Sequence, residues 1–160
     1  MRRALTGSIK RPADTTTYAA GDVIGTAASQ VITFFNARDP NGDDVNKGLI
    51  LGAQVVDSAA PATLPSLELW MFDTAPTAAA DNTAWAVTDA ELAAGFLGVI
   101  PLSYTYVGLA SGNHVQRSDT TAIPFEVKAS DGSLYGVLVA RNAYVPISEE
   151  VFKVILAVVD

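Results

Sequence analysis

Residues 120–129, Thr-Thr-Ala-Ile-Pro-Phe-Glu-Val-Lys-Ala, decide the fold class. Thr121, Ile123, Phe125 and Val127 fall on one side of a period of two, against Thr120, Ala122, Pro124, Glu126 and Lys128 on the other. That period is the mark of a half-buried β-strand. Pro124 lacks an N–H and lies on the polar side, which places this strand at a sheet edge or a bulge. Downstream, Asp131-Gly132 is a turn pair, and Ser133–Arg141 (SLYGVLVAR) reads as the second strand of a hairpin.

The same signal recurs upstream. Ser66–Asp73 (SLELWMFD) sets Leu67, Leu69 and Met71 against Glu68, Trp70 and Phe72. Gln30–Asn36 (QVITFFN) and Gly48–Asp57 (GLILGAQVVD) are further strands, with Gly52 at a bulge or close approach. Phe96–Leu102, Tyr104–Val107 and Glu150–Val159 complete the set. One helix start is visible: Thr88-Asp89-Ala90-Glu91 fits a capping box, and Gly95 ends the helix within about two turns. Ala59–Pro65 and Thr74–Asn82 read as surface loops. Short strands separated by turns, with at most one short helix, predict an all-β chain: an antiparallel β-sandwich, jelly-roll-like.

Composition agrees with one domain. The 160 residues are 49% hydrophobic and 17% charged, outside the range of disordered chains. There is no cysteine, so disulfides, thiolate catalysis and cysteine-ligated zinc are excluded. His114 is the one histidine. Met1-Arg2-Arg3 is followed by a polar, mixed stretch, so no signal peptide is read, and no apolar run is long enough to span a bilayer.

Charge is uneven. Arg2, Arg3, Lys10 and Arg11 occupy a segment without acids, while the rest of the chain carries six basic and seventeen acidic side chains. Residues 1–14 therefore read as a basic, extended N-terminal arm that leaves the fold at Pro12, and 15–160 as a single sandwich domain. The acidic body excludes nucleic acid as a partner.

No chemistry-bearing motif is complete. Asp39, Asn41 and Asp43 begin a calcium-loop spacing, but Asp44 and Ile50 stand where glycine and a bidentate glutamate are needed, so an Asn-Gly turn is the better reading. His114 has Ser111 and Asp119 nearby in sequence but no nucleophile elbow. A histidine bonded to backbone in a loop is expected. Glu68 and Glu126 sit on solvent faces, and Glu149 and Glu150 point apart if extended. No catalytic residue, cofactor or metal is assigned, and the chain is read as a non-enzyme. Trp70, Trp85, Tyr104 and Tyr106 are the residues of a possible sugar-stacking platform, with core packing or a subunit contact as the alternative.

The final strand carries Phe152, Val154, Leu156 and Val158 on one face and Val151, Lys153, Ile155, Ala157 and Val159 on the other. Both faces are apolar but for Lys153, so the outer one is expected to lie under a loop or another subunit. Phe152, Ile155 and Val159 are therefore candidate contact residues of a homo-oligomer.

Arg11-Pro12-Ala13-Asp14-Thr15-Thr16-Thr17-Tyr18-Ala19-Ala20-Gly21-Asp22-Val23-Ile24-Gly25 resembles a run near the N-terminus of small virion proteins of tailed bacteriophages, of the capsid decoration or cement type. The resemblance covers about fifteen residues. It implies a structural role on a phage particle assembled in the bacterial cytoplasm, with the major capsid protein or another virion subunit as partner. It also implies an oligomer, a trimer at local threefold sites. Arg2, Arg3, Lys10, Arg11 and Tyr18 join Phe152, Ile155 and Val159 as expected interaction residues. A carbohydrate-binding module on a virion surface or fibre is the alternative.

Overall fold

The computed structural model describes residues 2–35, 47–108, 112–128 and 132–160. In chain order these form β1 (Arg2–Lys10), β2 (Val23–Ile24), β3 (Val31–Phe35), β4 (Lys47–Asp57), β5 (Leu67–Phe72), α1 (Asp89–Gly95), β6 (Phe96–Pro101), β7 (Tyr104–Val107), β8 (His114–Arg117), β9 (Ile123–Glu126), β10 (Ser133–Ala140) and β11 (Val151–Val159). One sheet runs β1-β11-β4-β8-β7, with β9 beside the first half of β4. The other runs β2-β10-β5-β6, with β3 continuing the β2 side of β10. All pairings are antiparallel.

Count β2 with β3, and β8 with β9, as interrupted single strands, and β7 as an added edge. The sheets then run first-eighth-third-sixth and second-seventh-fourth-fifth. Those are the two Greek keys of a jelly roll. The all-β sandwich expected from the period-two segments is the fold observed.

Between the sheets, Leu5, Ile9, Val55, Phe152, Val154 and Leu156 meet Ile32, Phe34, Leu69, Met71, Leu134 and Leu138. The sheets draw together where β1 passes β3. A Cβ added at Gly7 would lie 2.5 Å from Ile32 Cγ2 and 2.9 Å from the Thr33 carbonyl oxygen, so only glycine permits that approach. Gly52 sits at the bulge foreseen for it, where the β4–β11 register shifts between Ala157 and Val158.

The second sheet is buried on both faces. Its outer residues Val23, Phe72, Val137 and Val139 pack with Trp70, Trp85, Val87 and Leu92. The segment between β5 and β6 is thus a cover, where the sequence suggested loops. Helix α1 locks it down. Thr88 caps the helix, with Glu91 N–H donating to Thr88 Oγ1 at 3.2 Å and Thr88 N–H donating to Glu91 Oε2 at 2.8 Å. Glu91 Oε1 accepts the Thr77 N–H at 2.7 Å, so one carboxylate joins the helix to the start of the cover. The donors from Thr77 and Thr88 hold the Glu91 carboxyl down at about 2. The helix stops at Gly95, where a Cβ would lie 2.6 Å from Thr74 Cβ.

Two expectations are corrected. Residues 2–10 are not an arm: β1 pairs with β11 along its whole length, from Arg2 opposite Val159 to Lys10 opposite Val151. Leu5 and Ile9 point into the core, and the charges that suggested an arm lie at the strand's two ends. The hairpin across Asp131-Gly132 does not form: β9 pairs with β4 in the first sheet, whereas β10 pairs with β2, β3 and β5 in the second. The connection crosses the sandwich. β11 lies inside the first sheet between β1 and β4, with a half-open outer face, and of the two covers expected for that face it is the loop that is not seen. Val151, Ile155 and Val159 are half-buried and Lys153 and Ala157 exposed, so no described segment roofs them. Pro124 does occupy an exposed edge position on β9, as a missing N–H requires. The acidic run 39–44 lies outside the described residues.

Candidate functional site

The run Arg11–Gly25 carries the chain from the first sheet to the second, and its side chains build the crossing. Arg11 is 2% exposed, with its guanidinium carbon 4.9 Å from the centre of the Tyr18 ring. Its Nε donates to Tyr18 Oη, its Nη1 to the Ile147 carbonyl at 3.1 Å, and its Nη2 to Asp81 Oδ2 at 3.1 Å and Asp14 Oδ1 at 3.3 Å. Tyr18 Oη donates to Asp81 Oδ1, which also accepts the Gly25 N–H at 2.7 Å. Tyr18 in turn stacks on Tyr144, with centroids 4.9 Å apart and planes at 8°. Burial and the Asp81 acceptor push the Tyr18 hydroxyl far above the usual tyrosine range. Asp22 Oδ2 accepts the Ala19 N–H at 2.6 Å, and Gly21 turns at φ +98°, which glycine alone adopts freely. A Cβ at Gly25 would lie 2.9 Å from Ser29 O. Residues of this run are therefore joints of the fold.

A second polar group lies sealed beside it. Asp57, at the end of β4, and Glu150, just before β11, are 0% and 1% exposed. His114 on β8 places Nδ1 2.8 Å from the Ala59 carbonyl and 3.2 Å from Asp57 Oδ2. Its Nε2 lies 3.1 Å from Gln116 Nε2, an amide whose orientation is set by Pro65 O at 2.7 Å and Leu67 N at 3.3 Å. Both neighbours of Nδ1 are acceptors and the neighbour of Nε2 is a donor, so the proton sits on Nδ1. The backbone bond foreseen for His114 is present, on a strand instead of a loop. Ser111 lies outside the described residues. None of these three side chains reaches solvent, so none can meet a substrate.

The surface with binding chemistry is the outer face of the first sheet. Across it, Ile155, Gln54, Arg117 and Tyr104 stand in one row, and Lys153, Val56, Val115 and Tyr106 in the next. Tyr104 and Tyr106 are 48% and 58% exposed. The neighbouring Asp119 carboxylate raises the pKa of the Tyr104 hydroxyl. Among the described residues the Arg117 guanidinium has no hydrogen-bond or ion-pair partner. A cleft of about 230 Å³ joins Tyr104, Tyr106, Arg117, Ser118 and Asp119, and a shallow one of about 290 Å³ continues past Gly52 to Ala157 and Arg3. Trp70 and Trp85 are not part of it. They meet edge-to-face, 5.9 Å apart, beneath the cover of the second sheet, and Trp70 Nε1 donates to Glu68 Oε1 at 2.8 Å. Glu68 is thus half-buried, not on an open face. The proposed aromatic platform divides, and only its tyrosines are available.

The expected interaction residues scatter. Arg11, Tyr18 and Phe152 are buried and cannot touch a partner from this fold. Arg3 Nε lies 3.4 Å from Asp160 Oδ1, and Lys10 Nζ 2.7 Å from Glu149 Oε1. Arg2 is exposed. Ile155 and Val159 lie on the outer face, with Ile155 in the row that leads to Tyr104. Sequence reading missed Arg117 and Gln54 and named Asp119 only as a neighbour of His114; the one available signal was the strand alternation that sets Arg117 on the face opposite His114 and Gln116. No protein-family model matches the chain, and no curated protein is significantly similar to it. What stands is a class, an antiparallel jelly-roll sandwich with one covered and one open sheet.

Proposed function

We propose that the chain is a structural protein of a phage virion, a capsid decoration or cement protein, that seats on the shell through the outer face of the β1-β11-β4-β8-β7 sheet. One observation carries the docking surface: the second sheet is roofed by its own chain, while the first presents two exposed tyrosines and half-buried Val56, Val115 and Ile155 to solvent. Large aromatic side chains beside an arginine are the residues that anchor protein interfaces. The virion assignment rests on the phage-like run at Arg11–Gly25. A homotrimer at local threefold sites would set three such faces on neighbouring capsid subunits, so weak contacts act together.

Tyr106→Glu combined with Arg117→Glu is expected to leave the free protein's melting temperature nearly unchanged, since exposed substitutions move stability by about 0.5 kcal/mol or less. The same variant should no longer bind assembled shells or raise their disruption temperature. Undiminished shell binding defeats this docking face.

Arg117, opposite Tyr104 and with its guanidinium unpartnered among the described residues, favours a second reading, a carbohydrate-binding module, because stacking rings beside a fork of donors suit sugar hydroxyls. Binding of defined oligosaccharides without any shell, lost in Tyr106→Ala, distinguishes it.

A further inference from the structure

We propose that Asp57 and Glu150 hold one proton between them, forming a clasp that fastens the start of β11 to the end of β4 and opens when that proton is lost. The two residues flank the junction of these strands. Asp57 lies opposite Phe152, Ser58 N–H donates to the Val151 carbonyl at 3.0 Å, and Val151 N–H donates to Ser58 Oγ at 2.9 Å. Of the four carboxyl oxygens, Asp57 Oδ1 accepts the Ala59 N–H at 2.9 Å. By hydrogen-bond geometry Asp57 Oδ2 and both Glu150 oxygens have no partner among the described residues, and the Ile147 N–H, close enough to favour the ionised Glu150 carboxyl, does not offset its burial. His114 does not fill the gap, because its single N–H is directed at the nearer Ala59 carbonyl. Two sealed carboxylates side by side with so few donors are a severe electrostatic penalty. A proton on Asp57 removes one charge and supplies the missing O–H donor to Glu150.

The surroundings fit one negative charge. Arg11, following β1, contributes a positive field, though its guanidinium hydrogen bonds go elsewhere. Tyr18 and Tyr144 come from the sheet-crossing run and the segment after β10, and His114 with Gln116 from β8. The outward Lys10–Glu149 pair stays in solvent. Burial first, and the facing Glu150 second, push the Asp57 carboxyl up to about 9, and burial raises Glu150 as well. An aspartate in the unfolded chain loses its proton near pH 4, so between about pH 4 and 9 the folded state binds one proton more. Stability therefore falls as pH rises through that window, by about tenfold in the unfolding constant per pH unit from this pair.

The test is proton release on denaturant unfolding of the whole chain near pH 7, together with stability between about pH 5 and 8. The expected result is about one more proton released by the wild type than by Asp57→Asn, whose amide donates to Glu150 without titrating. That variant's pH profile should be flatter by about tenfold per unit, and Glu150→Gln should flatten it likewise. Equal proton release and equal slopes in wild type and variants overturn the proposal. Should Asp57→Asn fail to fold, Glu150→Gln and the wild-type proton count decide alone, and a wild type that releases no proton refutes the clasp.

Discussion

A chain lacking residues 2–10 is expected to have no cooperative folded state. The deletion removes Leu5 and Ile9, each 4% exposed or less, and strips β11 of one of its two partner strands. Truncating a buried leucine or isoleucine to alanine costs about 2–5 kcal/mol. Two such losses, with a whole ladder of backbone hydrogen bonds, match a typical total stability of about 5–15 kcal/mol. Loss of the thermal transition in circular dichroism, with collapse of amide dispersion in NMR, is the expected outcome. A truncated protein melting within a few degrees of the intact one would mean that β1 is dispensable after all.

The second large effect is at Arg11. Arg11→Met keeps the bulk of the side chain but leaves Asp81, whose side chain is 4% exposed, without its cation. Removing one member of a buried pair typically costs about 3–5 kcal/mol. For a chain of this size that lowers the melting temperature by roughly 10 °C. Asp81→Asn should also destabilise, by stranding Arg11. The double variant should lose less than the sum of the two, because the second change removes the charge the first exposed. An Arg11→Met protein within about 1 kcal/mol of wild type in denaturant melts would show that the pair is not what holds the crossing.

Strands with a local signature were legible in the sequence. The alternation at Leu67–Leu69–Met71 and Phe152–Val154–Leu156–Val158 needs only neighbours to be read, and so does the Thr88–Glu91 box. β1 escaped because its inward set is Leu5, Gly7 and Ile9. The middle member is selected by a clash with Ile32, a partner that hydropathy cannot name. The sealed charges escaped for the same reason. Arg11 finds Asp81 seventy residues away, and Asp57 meets Glu150 across most of the chain. A lone basic residue near a terminus looks solvated until its distant counter-charge is known. The outer face of β11 looked dry because hydropathy counts methyl groups, not neighbours. In the sheet, flanking strands half-shield Ile155 and Val159 with no described segment of the chain above them. The tyrosine cleft combines β7 and β8 with Asp119, so strand pairing assembled a site whose members were individually unremarkable.

The pairing of Arg2 with Val159 also sets a schedule for synthesis. β1 must wait for β11, made about 140 residues later, since β11 is its sheet neighbour. At about 5–20 residues per second, ribosomal elongation leaves β1 without that neighbour for roughly ten to thirty seconds. During that interval Arg2, Arg3 and Lys10 act as gatekeepers: like charges on nascent chains repel, and a strand bracketed by them is a poor template for aggregation.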